Sequence, residues 1–444
     1  MKSRKTIALV MALLMALLTF AGCAPKAEAP APADAGSSAA APATEEEEEP
    51  AETAYVQGVT DTEIIIANSA ATSGAYAPVG VPFLAGLNAY LDKINEAGGI
   101  DGRKITFKHI DDEFDPAKGS SALTEFVEDD KVFAIVGHFG TPVVAATVDA
   151  LKEYGVPSVY FATGIGQLYA ENAKTNAEGY NIFPVQPIYT TEGSIMVAYA
   201  AGKFDAKKIG IIYTNDDAGM NLESGAVAQI NKLDGIEYVE QQVAAGSADV
   251  SAAVTSIKNE NVDFIIVASI QATMPTIVKE LAAQGVNKDC ITTYVNTSSA
   301  MSEAVVGDIQ GKFDVYGLGW VDYTTDIAKA SIGDYQEWVA KTSGGEDFSM
   351  NAYAQTGWIC GTFFVEGLKR VADAGEELTW ESYMKALETG GPVQNPFGGK
   401  IDYANGARLG TQEMNLSRFV PKDDVNVGGL ELVEGLQSIQ SLVQ

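Results

Sequence analysis

Between Glu63 and Val295 the chain alternates short β-branched runs with longer stretches whose apolar residues recur at helical spacing. No other feature narrows the fold as much. Glu63 to Asn68 reads as a strand. After a Gly and Pro loop, Leu84, Leu87, Leu91 and Ile94 mark a helix that ends at Gly98-Gly99. The unit recurs as strand Ile105 to Ile110, a helix around Ala122 to Val127, strand Val132 to Val136, helix Val143 to Tyr154 and strand Val156 to Tyr160. A second series follows Phe183-Pro184-Val185-Gln186-Pro187: helix Glu192 to Lys203, strand Lys208 to Tyr213, helix Gly219 to Leu233, strand Glu237 to Val243, helix Val250 to Asn259, strand Asp263 to Ala268, helix Met274 to Gln284 and strand Ile291 to Val295. Such alternation predicts parallel sheets covered by helices on both faces. Leu123 to Gly137 and Val254 to Ala268 also resemble each other, as two halves built on one plan would.

Val315 to Trp320, a glycine-aromatic stretch, reads as a second crossing between lobes. It leads to helices at Asp334 to Lys341, Ala354 to Ala374 and Trp380 to Glu388. Beyond Pro396-Phe397-Gly398-Gly399 a hairpin is expected, Lys400 to Tyr403 against Glu413 to Val420, turning at Asn405-Gly406. The expected architecture is α/β, with two Rossmann-like lobes joined by a three-strand hinge. Residues 58–186 and 322–396 would form one lobe, and 187–321 and 397–444 the other.

The N-terminus reads as an export signal. Lys2, Arg4 and Lys5 precede an apolar run from Thr6 to Phe20 that is too short to span a membrane. Thr19-Phe20-Ala21-Gly22-Cys23 resembles a bacterial lipobox, with Phe20 where leucine is usual, and makes Cys23 the expected acylated residue. Residues 1–23 are thus a lipoprotein signal. Residues 24–57 are Ala, Pro, Ser and acid, with Glu45 to Glu49 in a row and no apolar periodicity, and read as a disordered tether. The lipid would be the only link to the membrane.

A formal net charge of −30 argues against nucleic acid and anionic lipid as partners. Beyond Cys23 the cysteines are Cys290 and Cys360, placed in different lobes, which favours two buried thiols over a disulfide. Enzyme chemistry has little to draw on. His109 and His138 are the only histidines, which leaves a metal cluster or a Ser/His/Asp triad little to draw on, and His138 reads as a strand-end residue bonded to backbone. Gly164-Ile165-Gly166 lacks the third glycine of a dinucleotide fingerprint. Neither a cofactor nor a metal is expected.

The order and spacing of several segments are similar to the branched-chain amino acid type of periplasmic binding protein. They are Gly74-Ala75-Tyr76-Ala77-Pro78-Val79-Gly80, Ala97-Gly98-Gly99-Ile100-Asp101-Gly102-Arg103, Asp111-Asp112-Glu113-Phe114-Asp115-Pro116, Ile135 to Thr141, Gly155-Val156-Pro157 with Phe161 to Gly164, and Lys208 to Tyr213 with Asp216 to Gly219. The resemblance covers most of Thr60 to Val420. It implies two lobes that close on a small ligand, and delivery of that ligand to the permease subunits of an ABC importer.

In open α/β sheets ligands sit beyond the carboxyl ends of strands, beside helix N-termini. Phe139, Gly140 and Thr141 occupy such a place. Thr141 before Pro142 reads either as a helix cap or as a hydroxyl for a ligand carboxylate. The resemblance makes Ala162 and Thr163 a second arm of that anion site. Ser73 and Tyr76 follow the first strand, with Tyr76 as pocket wall or rim. Asp217, Gln271 and Asn296 follow strands of the second lobe, and Tyr189 and Tyr323 lie near crossings; each is a ligand contact or a solvated loop residue. One departure bears on the ligand. Amino-acid-binding members of the family place an acid after the strand corresponding to Asp263 to Ala268, and here Ser269-Ile270-Gln271-Ala272-Thr273 has none. A ligand-sensing module of the same fold and a secreted hydrolase are the rival readings.

Overall fold

The computed structural model describes residues 56–444 apart from 175–176, 343–344, 425 and 427. The signal segment, Cys23 and nearly all of the tether lie outside the described residues. Strand-helix alternation gives β1 (Glu63–Ala70), α1 (Ala77–Glu96), β2 (Lys104–Asp111), α2 (Pro116–Thr124), β3 (Ala134–Phe139), α3 (Thr141–Tyr154), β4 (Ser158–Ala162) and β5 (Ile182–Phe183). These strands form one parallel sheet in the order β2-β1-β3-β4-β5. All six residues of β3 are buried, as a strand covered on both faces requires.

The second series gives α4 (Tyr189–Ala198), β6 (Lys208–Thr214), α5 (Asp217–Ile230), β7 (Glu237–Val243), α6 (Ser251–Glu260), β8 (Phe264–Ala268), α7 (Thr273–Gln284), β9 (Cys290–Thr292), α8 (Ser299–Ile309) and β10 (Val315–Gly319). Its parallel part runs β7-β6-β8-β9-β10, the order of the first sheet repeated. The two similar sequence stretches occupy equivalent places, α2 into β3 and α6 into β8. Cys290 in β9 and Cys360 are both free and buried.

The chain then returns to the first lobe as α9 (Asp326–Lys341), α10 (Ala352–Ala374), α11 (Trp380–Thr389), β11 (Val393–Gln394) and β12 (Lys400–Ile401). Asn351 caps α10 through the Tyr353 and Ala354 amides, and a Thr379/Ser382 capping box starts α11. The chain ends in the second sheet, where β13 (Glu413–Phe419) pairs antiparallel with β10 and with β14 (Leu430–Ser438), before α12 (Ile439–Leu442). The expected hairpin is therefore not formed. β12 pairs with β11, and β13 takes β14 as its partner. Asn405 and Gly406 do have positive φ, at 61° and 79°, but they turn the chain out of the first lobe. Phe397, Ile401 and Tyr403 are buried in the first core, so the third crossing follows Tyr403, later than the expected boundary at 396/397.

Arg408 fixes that crossing. Its side chain is fully buried, its guanidinium lies 4.3 Å from the centre of the Phe183 ring, and it donates to the Tyr180 carbonyl at 3.1 Å and to Glu388 at 3.3 Å.

Helix α10 reaches the first lobe through reciprocal glycines. A Cβ on Gly86 would lie 1.7 Å from the Ala354 carbonyl oxygen, and one on Gly357 1.9 Å from that of Phe83. Gly357→Ala is expected to cost at least about 1–3 kcal/mol, because the helices must separate. Gly307 of α8 has open space at its Cβ position, so Gly307→Ala is expected to stabilise by about 0.5–1 kcal/mol. Chemical-denaturation midpoints of the two variants should move in opposite directions.

Candidate functional site

In each sheet the strand order reverses between the first and third strands of its series, and the crevice at such a point is where α/β sheets hold ligands. The crevice of the first sheet opens on a cavity of about 520 Å³, to which the second lobe contributes the segments after β8, β9 and β10, a size suited to a small organic molecule. The first sheet supplies the start of α3. Gly140, with φ 93°, is the N-cap, and it lets the Phe114 ring approach to where a Cβ would lie 2.6 Å away. Thr141 is therefore the first helical residue, one position later than a cap, and its hydroxyl does not bond the α3 backbone. It lies instead 2.9 Å from the Thr163 hydroxyl and 3.5 Å from that of Tyr189. The wall beside it is aromatic: Tyr76 stacks on Phe114 at 3.6 Å between ring centres, and Phe139 meets Phe114 edge-on at 6.5 Å.

Of the residues expected from sequence, Tyr76, Phe139, Gly140, Thr141, Ala162, Tyr189, Gln271 and Tyr323 line the cavity. Four do not. Ser73 is exposed, and its amide donates to Asp111, which also gathers the amides of Thr72 and Glu113. Thr163 is buried behind Thr141. Asp217 opens α5, where its carbonyl accepts from Asn221. Asn296 is a buried brace: it accepts from the Gln271 amide at 2.8 Å and donates to the Ser269 carbonyl and the Thr292 hydroxyl, each at 2.7 Å. That brace holds Gln271, at φ 52°, against the cavity.

Sequence reasoning missed Gln186, Tyr294, Trp320 and Tyr353, all of which line the cavity. Gln186 lies in the first crossing and links the lobes. It donates to the Tyr160 hydroxyl at 2.8 Å and accepts from that of Tyr294 at 2.6 Å. Trp320 sits in the glycine-aromatic crossing and meets Tyr294 edge-on at 6.4 Å. Tyr353 arrives on the first turn of α10, which sequence places far from the other contacts.

Residues 63–424 match the family model described as periplasmic binding protein. The chain belongs to the periplasmic binding protein family. A Leu/Ile/Val-binding protein homolog 3 of Brucella melitensis is 25% identical over 372 residues, covering 83% of this chain and 94% of the relative. The solved fatty acid ABC transporter substrate-binding protein from Thermomonospora curvata superposes with a TM-score of 0.73 at 18% identity, covering 87% of this chain and 95% of that one. A branched chain amino acid ABC transporter protein from Thermus thermophilus with bound valine gives 0.72 at 16%, covering 87% and 98%. These structural likenesses carry the two-lobed type I periplasmic-binding-protein fold. The family is one of exported binding proteins, and among the described residues no helix is long and apolar enough to cross a membrane.

Behind the cavity lies Glu192 of α4, fully buried, which accepts from the Tyr294 amide at 2.9 Å and the Thr293 hydroxyl at 2.7 Å. Burial pushes its pKa up to about 8 against the pull of those two bonds. The folded protein thus keeps a proton that the unfolded chain releases near its ordinary value of 4.5. This contribution to stability is complete below about pH 4.5 and is lost as pH rises through about 8. Glu192→Gln removes the titration. The melting temperature of the wild type minus that of the variant should fall between pH 5 and 8, and a difference constant with pH would show that Glu192 does not titrate in this range.

Proposed function

We propose that this protein is the lipid-anchored receptor of an ABC importer, which captures a small carboxylate-bearing solute between its lobes and presents it to permease subunits. Branched-chain amino acids, related organic acids and amides are the solute classes in view. The observation that carries the reading is one cavity lined by strand-end segments of both lobes, with Thr141 at the start of α3 in its wall, a place suited to a solute carboxylate. Three chain crossings between the lobes suit closure around a ligand that stabilises the closed form. Acylation at Cys23 and a tether over residues 24–57 belong to the same proposal and are motivated by sequence.

The test is a thermal-shift screen of the purified protein against amino acids, aliphatic and aromatic carboxylates and amides, since a ligand that binds only the folded state raises the melting temperature. A solute that shifts it should lose roughly 1.5–3 kcal/mol of binding with Thr141→Ala, measured by calorimetry. Unchanged affinity would remove Thr141 from the site. Turnover of an ester or amide in place of simple binding would favour a hydrolase.

A further inference from the structure

Asp322 is the one carboxylate among the described residues that line the cavity, and none of those residues carries a positive charge. It stands in the second crossing, only 5% exposed, and the hinge fixes it from both sides. Its amide donates to the Phe397 carbonyl at 2.8 Å, and the Asn415 side chain of β13 holds the neighbouring Val321 carbonyl at 2.7 Å. The carboxylate itself is oriented by the turn into α9, where Oδ1 accepts from the Thr324 amide at 2.8 Å and the Thr324 hydroxyl at 2.6 Å. Its other oxygen, Oδ2, has no hydrogen-bond or ion-pair partner among the described residues. Gly435 of β14 lies beside that oxygen without a side chain, and a Cβ there would sit 3.2 Å from it.

A carboxylate largely withdrawn from water with one oxygen unpaired is costly. The folded protein bears that cost before any solute arrives, so a cation that reaches Oδ2 is opposed mainly by its own desolvation and gains a charge-assisted hydrogen bond. Because the crossings and Thr324 already hold the side chain, little ordering is lost on binding. No other group in the wall offers this chemistry. The loop after β8 presents the neutral Gln271 amide, and Thr141 with the start of α3 suits the opposite sign. Given the solute-binding reading, on which this step rests, we propose that Asp322 takes an ammonium group of the solute. The ligand is then a zwitterion, with its ammonium on the hinge and its carboxylate on the first lobe.

Calorimetric titration of the purified full chain with three matched pairs tests this: L-leucine and 4-methylpentanoate, L-phenylalanine and hydrocinnamate, 4-aminobutyrate and butyrate. The members of each pair differ only in the ammonium. In at least one pair the ammonium-bearing member is expected to bind at least about tenfold more tightly. Asp322→Asn keeps an oxygen for Thr324 and removes the charge, and it should abolish that preference by weakening the ammonium-bearing member at least about tenfold. Should that variant fail to fold, Gly435→Ala decides: its methyl comes up against Oδ2 and should weaken the same member at least about threefold, and unchanged affinity overturns the inference. A preference in no pair, or one that survives Asp322→Asn, overturns it too and leaves the solute-binding reading in place. Failure of all six to bind also overturns it. If the wider solute screen is then equally silent, the receptor reading falls as well.

Discussion

The contact between α1 and α10 governs the rest of the molecule. Gly86 and Gly357 bring the two helices so close that backbone meets backbone, and α10 follows the entire parallel part of the second sheet in sequence. The first lobe cannot be completed until the chain has built most of the second and come back. β13 and β14 then complete the second sheet, so the chain must cross again. The second lobe repeats the device locally, where Gly193 and Gly225 set α4 against α5, each with a Cβ position about 2 Å or less from a carbonyl oxygen of the other helix. Neither lobe is contiguous, and three crossings follow from that alone.

Those crossings are bonded to one another, so they form a shared hinge instead of three independent linkers. The Thr411 amide donates to the Val185 carbonyl at 2.9 Å, the Asp322 amide to that of Phe397 at 2.8 Å, and the Asn415 side chain to that of Val321 at 2.7 Å. Buried backbone groups at such a junction need partners, and here each crossing supplies them to the next. The cavity sits directly against this junction, with Gln186 and Trp320 belonging to crossings and lining the cavity at once. A solute held there touches both lobes and the hinge together.

The fold was largely legible in the sequence because strand and helix periods differ and the parallel strands are short, buried and apolar. Where that signal is weak the reading failed. β14 runs Leu-Glu-Leu-Val-Glu-Gly-Leu-Gln-Ser, half exposed at a sheet edge, and without it β13 was given β12 as a partner. The site divided in the same way. Residues at or just beyond strand ends, such as Phe139, Thr141 and Gln271, were expected because topology points there, and they line the cavity. Asn296 was placed by the same rule, yet its side chain turned inward to serve Gln271, a choice set by local hydrogen bonding. Tyr353 and Tyr294 escaped notice because their approach depends on packing between distant elements.

The charge of the chain sharpens what its cavity must do. A protein with net charge −30 has no long-range field to draw in an anion, and salt screens exposed charges beyond about 8 Å at physiological ionic strength. A carboxylate solute of the kind proposed must therefore be recognised at short range. The groups within reach are hydroxyls and a helix start, dipoles that strengthen where water is excluded. On the proposed reading, such a site would hold an anion without a fixed cation. Its grip then depends on the lobes excluding water, which couples binding strength to closure about the same hinge that the helix contact made necessary.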